Sequence, residues 1–322
     1  MKFAMISDPH ILIHKPIARL DDASATTFKK MNFILKYCKD NSCNLLIAGD
    51  LTDKPRSWAL LPRVLDMFSN YSDVKVYAVY GQHDTYMYSE ETRDKTILGA
   101  LYNAGLVELL SDKPICFFKE ADVSSKSISF FKEINIYGCN YGQKVPKVVN
   151  KKCINILVIH APIAEKALFI NHNYIGAKAF LNENKDYKII HCGDIHRSFC
   201  LGGPGGRTIL NSGAMIRKTA DKYNFSHKPY FYVYDTVTDK LIDVDIPHRP
   251  GKEVLSNEHI LDEEDKKVLR NKFTESLSKE IELDMSFTAN LEALLRRNLR
   301  IRKGVRNILA KELSIIEEGG IV

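Results

Sequence analysis

Two periodicities of apolar residues organise the first half of the chain. Short aliphatic runs typical of buried strands lie at residues 3–7, 44–49 and 74–80. Between the first two runs, apolar residues recur at helical spacing, namely Phe28, Met31, Ile34, Leu35 and Cys38. The pattern predicts a strand, helix, strand unit, and the helical crossovers predict parallel pairing of the three strands.

Further along, the pattern predicts two more helices and a second group of strands. One helix is indicated by Leu60, Leu61, Val64, Leu65 and Phe68, and another spans residues 93–103 and ends at Gly105. Strands are predicted at residues 134–139, 154–159, 187–191, 207–210, 230–234 and 241–246. The glycine-rich segment 202–206 predicts a tight turn between antiparallel strands, because no helix follows it as in a phosphate-binding loop. The chain is thus predicted to be of the α/β (α+β) class.

The pattern changes near residue 248, where Pro250 and Gly251 interrupt it. From about Leu261 onward, helical spacing replaces the strand pattern, so we predict one domain at residues 1–247 and a small helical region at 248–322. Its last part carries an apolar stripe at Leu291, Leu294, Leu295, Ile301, Val305, Ile308 and Leu309. Arginine and lysine residues are interleaved with that stripe.

Polar clusters end or follow the predicted strands, and they are the main indication of function. The clusters are Asp8 with His10, Asp50, Gln82 with His83 and Asp84, His160, and Asp194 with His196. Open α/β sheets place their ligands at the carboxyl ends of strands, so these side chains are expected to converge. Carboxylate, imidazole and amide groups together can hold two divalent cations. A pair of such cations catalyses the hydrolysis of phosphate esters in many enzymes.

Roles within the clusters follow from the chemistry of each side chain. The Asp50 carboxylate has two oxygens and is the candidate bridge between two cations. His83 can protonate a leaving alkoxide because imidazole titrates near neutral pH, and Asp84 is expected to orient that imidazole. A single Asp or His after a strand is more often a cap or turn residue, and this ordinary interpretation is applied to Asp53 and to His14, His172, His191, His227 and His248.

Composition indicates the cellular location of the protein but does not decide its function. Hydrophobic residues make up 45% and charged residues 27% of the chain, and no apolar run approaches the roughly 20 residues of a membrane span. The N-terminus lacks the pattern of a secretory signal, and the seven cysteines form no Cys-x-x-Cys pair. We therefore expect a cytoplasmic protein, or one in the host cytoplasm if viral. The net charge of +6 permits a polyanionic partner but does not establish one.

At these clusters the chain resembles the calcineurin-like metallophosphoesterases. Their motifs are Asp-x-His, Gly-Asp, Gly-Asn-His-Asp, His and Gly-His-x-His in this order, and the resemblance covers residues 1–247. Within that superfamily, segment 80–84, the turn at residues 211–213 and the basic helical tail resemble the SbcD-type DNA-repair nucleases of bacteria and phages. The resemblance implies a four-layer fold, a β-sandwich of mixed sheets flanked by helices.

The resemblance also implies a binuclear centre that prefers manganese, with magnesium or iron as the alternatives. Carried over by position, one ion is held by Asp8, His10, Asp50 and His196, and the other by Asp50, Gln82, His160 and Asp194. His83 is the implied general acid, and hydroxide activated by the two metals attacks phosphorus. In the family the substrate is DNA, cut as a 3′-to-5′ exonuclease on duplex ends and an endonuclease on single strands.

Two positions depart from the family pattern, and both fall on the second ion. Gln82 stands where the family usually has Asn, and Asp194 where it usually has His. Glutamine keeps the amide oxygen, whereas aspartate replaces nitrogen by oxygen and should favour manganese or magnesium over zinc. We expect both ions to be retained, although weak binding of the second ion is the alternative.

Partners and other functions follow from the same resemblance. The C-terminal helices are expected to dock on an SbcC-type coiled-coil ATPase, and the helix near Trp58 is expected to form a homodimer, although both apolar faces could instead pack on the protein's own core. A small-molecule or cyclic-nucleotide phosphodiesterase or phosphatase is the second enzymatic interpretation. A degenerate metallophosphoesterase scaffold that acts as a binding module is the third.

Overall fold

Strands and helices alternate through most of the computed structural model, which describes residues 1–117, 133–168 and 173–258. The strands are β1 (Lys2–Ile6), β2 (Cys43–Ile47), β3 (Val76–Ala78), β4 (Glu108–Leu109), β5 (Ile115–Phe117), β6 (Ile134–Cys139), β7 (Ile154–His160), β8 (Ile163–Ala164), β9 (Ile175–Gly176), β10 (Ile189–Gly193), β11 (Phe199–Gly203), β12 (Arg207–Asn211), β13 (Tyr230–Asp235) and β14 (Lys240–Asp245). The helices are α1 (Ala23–Asp40), α2 (Leu61–Ser69), α3 (Ile97–Asn103), α4 (Ala177–Glu183), α5 (Lys222–Ser226) and α6 (Gly251–Val254).

The described strands form two six-stranded mixed sheets and a small two-stranded one, β8 with β9. The first sheet has the order β14-β13-β1-β2-β3-β4, in which β1 to β4 are parallel and β13 and β14 antiparallel to their neighbours. The second has the order β11-β12-β10-β7-β6-β5, with β12, β10, β7 and β6 parallel. The parallel strands direct their carboxyl ends to one edge of each sheet.

The two large sheets pack face to face, with helices on their outer faces. Apolar side chains of both sheets fill the space between them, for example Phe3 and Leu46 of the first sheet and Ile156 and Leu210 of the second. The outer face of the first sheet is covered by α1, α2 and α3, and that of the second by α4. This is the four-layer sandwich of mixed sheets that the resemblance implied.

Helix α1 shows how the sequence sets these boundaries. The Asp22 side chain caps its N-terminus by accepting a hydrogen bond of 2.9 Å from Ala25 N. The predicted stripe from Phe28 to Cys38 is buried against β1 and β2. One prediction was wrong in detail: residues 93–103 are not one helix, because Thr96 is extended and caps α3 by accepting from Gly99 N. The turn at residues 202–206 does join the antiparallel strands β11 and β12.

Residues up to Asn257 form one compact unit. The predicted helical stripe at residues 291–309 lies outside the described residues, so the division at residue 248 stays a prediction. In the part of the chain that the structure describes, no helix is long and apolar enough to cross a bilayer.

Candidate metal centre

Each predicted cluster lies at the end of a strand in the structure. Asp8 and Asp50 follow β1 and β2, which are paired in parallel, and His160 is the last residue of β7. Asp194 follows β10, the parallel neighbour of β7. Because the two sheets face each other, the side chains from both converge at one edge of the sandwich.

The backbone at these strand ends adopts a conformation that few side chains tolerate. Asp8, His10, Asp50 and Asp194 have φ angles of 47°, 44°, 51° and 92°, in the left-handed region. Such backbone costs on the order of 1 kcal/mol per residue or more and is found mainly where a functional constraint maintains it. The tight turns bend each side chain back over the end of its strand.

Glycine beside these residues allows the strand ends to approach closely. Gly49 has a φ of 83°, and a Cβ atom there would collide with the His160 imidazole. A Cβ atom at Gly81 would collide with the Asp50 carboxylate. The glycines of the Gly-Asp and Gly-Gln-His-Asp motifs are therefore required by packing around the centre.

The candidate ligands lie within reach of a shared ion. Asp8, His10 and His196 form one group whose ligand atoms all lie within 4.8 Å of one another, and Asp8, Asp50 and His160 form a second. His10 Nε2 lies 2.9 Å from His196 Nε2 and 3.6 Å from Asp50 Oδ2. His160 Nε2 lies 3.6 Å from Asp50 Oδ1, so Asp50 stands between the two imidazole groups.

Gln82 and Asp194, the two departures from the family pattern, contact each other. Gln82 Nε2 donates to Asp194 Oδ1 at 2.5 Å, and Gln82 Oε1 lies 2.5 Å from His160 Nε2, the other candidate ligand atom beside it. His160 Nδ1 donates to the Ala48 carbonyl at 2.6 Å. The longer amide is therefore held by the carboxylate through a hydrogen bond, and its oxygen lies beside His160 Nε2.

His83 is held by a residue other than the one that we expected. Its Nδ1 donates to the Asp53 carbonyl at 2.9 Å, which leaves Nε2 as the atom that can exchange a proton with substrate. Asp84 instead accepts from the Gly81 and Thr52 backbone N–H groups, at 3.0 and 3.4 Å. Asp84 thus fixes the turn that carries His83, and the Asp53 carbonyl orients the imidazole.

Burial shifts the pKa values of the carboxylates and of the imidazoles in the centre in opposite directions. Burial raises the pKa of Asp8 to about 8, with the Asp50 charge adding to the rise and His160 opposing it. Burial likewise raises the pKa of Asp84 to about 7, helped by Asp50. Burial and the nearby Lys218 charge lower the pKa of His10. Although burial opposes it, the Asp50 and Asp8 carboxylates raise the pKa of His160.

The comparison with family models decides the classification. A model described as calcineurin-like phosphoesterase matches residues 1–197. The chain belongs to this family. Members of this family are typically metal-dependent hydrolases of phosphate esters. A comparison with curated proteins found no match to the chain.

Solved structures similar to this calcineurin-like phosphoesterase are distant in sequence. A 5'-nucleotidase precursor from Thermus thermophilus is 8% identical with a TM-score of 0.40, over 87% of this chain and 60% of its own length. Vps29 of Entamoeba histolytica, in complex with zinc, is 14% identical with a TM-score of 0.35, over 77% of this chain and 100% of its own. Vps29 of Chaetomium thermophilum is 13% identical with a TM-score of 0.31, over 76% and 97%.

The residues present fit the metal ions that the family implies. Three buried atoms of the centre have no hydrogen-bond partner among the described residues, namely Asp8 Oδ2, His10 Nδ1 and Asp50 Oδ2. A buried carboxylate oxygen without a partner is costly unless a cation satisfies it. Carboxylate and imidazole donors suit manganese, iron or zinc. Asp8, His10, Asp50 and His160 therefore form a candidate binuclear site.

Two residues near this phosphoesterase centre were missed by the sequence analysis. The cap interpretation of Asp53 was wrong, because the next helix, α2, begins at Leu61. Its Oδ1 instead lies 3.7 Å from His10 Nδ1 and pairs with Lys218 Nζ at 2.7 Å. The position of Asp53 three residues after Asp50 was a usable signal, whereas nothing local marked Lys218.

Proposed function

We propose that the protein is a metal-dependent DNA nuclease that works in the cytoplasm as the SbcD-type subunit of a DNA repair and recombination complex. The observation that carries the phosphoesterase chemistry is the buried group Asp8, His10, Asp50 and His160 with its unpartnered carboxylate oxygens. The choice of DNA rests on the motif resemblance and on the basic C-terminal sequence. Manganese is the proposed metal because the family resemblance implies it and because the oxygen donors of Asp50, Gln82 and Asp194 at the second ion suit a hard cation.

The side chains of the centre have separable tasks in this reaction. Divalent cations bound there would act as Lewis acids on the phosphoryl group and promote ionisation of the attacking water. Asp50 holds the position between the two groups of ligands, and its Oδ1 also accepts from His83 N at 2.8 Å. His83, with Nδ1–H held by the Asp53 carbonyl, presents Nε2–H to the leaving oxygen.

The decisive assay is manganese-dependent degradation of end-labelled single-stranded and duplex DNA, run beside a small chromogenic phosphodiester. We expect DNA cleavage that requires manganese. His83→Ala should slow it by about a hundredfold, because general acid catalysis contributes at least that much. The chromogenic diester has a good leaving group, so its hydrolysis should fall less. If the variant digests DNA as fast as wild type, His83 is not the acid.

The same assay separates the other interpretations. Hydrolysis of the small diester that far exceeds cleavage of DNA would favour a small-molecule phosphodiesterase. Absence of any manganese-dependent hydrolysis would favour a scaffold that only binds.

We further propose that the C-terminal region docks on an SbcC-type ATPase and that two copies of the chain associate near Trp58. The indole of Trp58 is 90% exposed beside the start of α2, which supports a contact surface there. Truncation after Asn257 should abolish binding of the ATPase, and retained binding would contradict the docking proposal. Trp58→Glu should convert dimer to monomer in sedimentation, with exposed Tyr102→Glu as the matched control.

A further inference from the structure

A second charged region lies outside the metal centre. It is a cavity of about 540 Å³ between α1 and the segments around residues 217 and 248. Its lining includes Arg19, Lys30 and Arg217, which are buried, together with Asp21 and the apolar side chain of Phe33. We call this cavity the basic cavity. None of these lining residues is a candidate metal ligand.

The cations of the basic cavity outnumber its carboxylates. Asp21 is paired with Arg19 in a two-pronged contact, with Nε and Nη2 each donating at 2.8 Å to separate oxygens. Lys30 Nζ donates to the Met215 carbonyl at 2.7 Å. Arg217 donates to the His227 and Arg249 carbonyls at 3.3 and 2.5 Å. Among the described residues, Lys30 and Arg217 therefore have carbonyl partners but no carboxylate of their own.

Such an arrangement leaves buried positive charge uncompensated. Lys30 and Arg217 are each 3% exposed, and Arg217 Nε is buried with no hydrogen-bond partner among the residues that the structure describes. Burying a cation costs several kcal/mol unless an anion compensates it. Burial and the charges of Arg217 and Arg19 lower the pKa of Lys30 to about 7, with Asp21 opposing the shift only weakly. The cavity that Lys30 and Arg217 line has space for an anion.

We propose that the basic cavity binds the phosphate group of a small phosphorylated molecule of nucleotide size. Phosphate oxygens accept from both guanidinium and ammonium donors, and a planar guanidinium suits them in particular. The volume lies within the range of small-molecule sites, and Phe33, Pro247 and Val254 provide apolar surface for the rest of the ligand. The site is separate from the metal centre, so the proposal does not depend on the nuclease activity.

Calorimetric titration of the full-length protein tests the proposal after its metals have been removed, so that phosphate does not bind at the metal centre. The ligands are inorganic phosphate, AMP and adenosine. We expect saturable binding of phosphate and AMP but not of adenosine. Tighter binding of AMP than of phosphate would assign the cavity to nucleotides, and equal binding would show that the phosphate group alone is recognised.

Four variants locate the site. Lys30→Met and Arg217→Met should weaken phosphate binding by about tenfold or more, since each removes a charged hydrogen bond. Lys36→Met removes an exposed charge from the same helix and should bind as wild type does, and Asp50→Asn should also bind normally. If Arg217→Met does not fold, Lys30→Met and the wild-type ligand series decide.

Several results would overturn the proposal. Wild type could show no saturable phosphate binding, or adenosine could bind as tightly as AMP. Lys30→Met could bind phosphate as tightly as wild type. Tighter phosphate binding in Asp50→Asn than in wild type would place the anion at the metal centre instead, because this variant removes a negative charge from the metal-free centre.

Discussion

The metal centre and the basic cavity both bury charge, but they balance it differently. In the centre, the carboxylates of Asp8 and Asp50 stand among imidazole groups, and the atoms without partners include oxygens of both carboxylates. In the cavity, Lys30 and Arg217 donate to carbonyls, and Arg217 Nε has no hydrogen-bond partner within the described part of the chain. The sign of the unsatisfied groups thus indicates the sign of the ligand: cations for the centre and an anion for the cavity.

The largest expected effect comes from removing the charge of one carboxylate in the metal centre. Asp50→Asn should reduce phosphodiester hydrolysis by about a thousandfold or more, because Lewis-acid stabilisation contributes several kcal/mol. The matched control is Asp22→Asn, which removes the same charge from an exposed helix cap where asparagine caps equally well. Steady-state rates on the chromogenic diester measure both, and near-normal activity of Asp50→Asn would remove the centre from catalysis.

The gain in unfolding free energy on binding manganese distinguishes the metal centre from the basic cavity. Manganese at a hundred times its dissociation constant should stabilise the metal-free protein by about 2.7 kcal/mol per site. Arg217→Met should gain as much from manganese as wild type does, because its cavity holds no metal ligand. Chemical unfolding with and without manganese provides the measurement. A gain that disappears in Arg217→Met would mean that the two regions are not independent.

The number of ions in the centre tests whether Gln82 and Asp194 help to hold a second metal ion. We expect calorimetry to show two manganese ions per chain. Asp194→Ala should weaken one of them by about tenfold, since Asp194 also positions Gln82 through their hydrogen bond. Asp66→Ala, at an exposed position of α2, is the control. A single manganese ion per wild-type chain would contradict the binuclear assignment.

The smallest effect concerns a histidine beside the basic cavity. Burial, with the charges of Arg217 and Lys30 adding to it, lowers the pKa of His227 to about 4 from its ordinary 6.5. Between these values His227 binds more protons in the unfolded chain than in the folded one, so the contribution of this histidine to the free energy of unfolding falls as the pH is lowered. The loss should be about 1 kcal/mol between pH 6.5 and 5.5. His227→Gln should remove this contribution, so denaturant titrations at the two pH values should show a loss on acidification that is smaller by about 1 kcal/mol than in wild type.

Sequence could predict the strand ends of the centre because local patterns specify them. Asp8, Asp50 and His160 each end an apolar run, and parallel pairing brings such ends together. The hydrogen-bond partner of the His83 imidazole could not be predicted from the sequence. That partner is the backbone carbonyl of Asp53, and every residue type has such a carbonyl. The basic cavity was missed for another reason: Lys30 and Arg217 are far apart in sequence, and a lysine in a helical stripe is ordinarily exposed.

The left-handed backbone at Asp8, His10, Asp50 and Asp194 bears on whether this chain has kept an activity. Glycine at any of these positions would relieve the conformational penalty, and an uncharged side chain would relieve the burial of a carboxylate. A protein selected only for a stable surface would gain from such substitutions. Side chains that work against stability at each of these turns are what selection for chemistry maintains, and they argue against a scaffold that has lost its reaction.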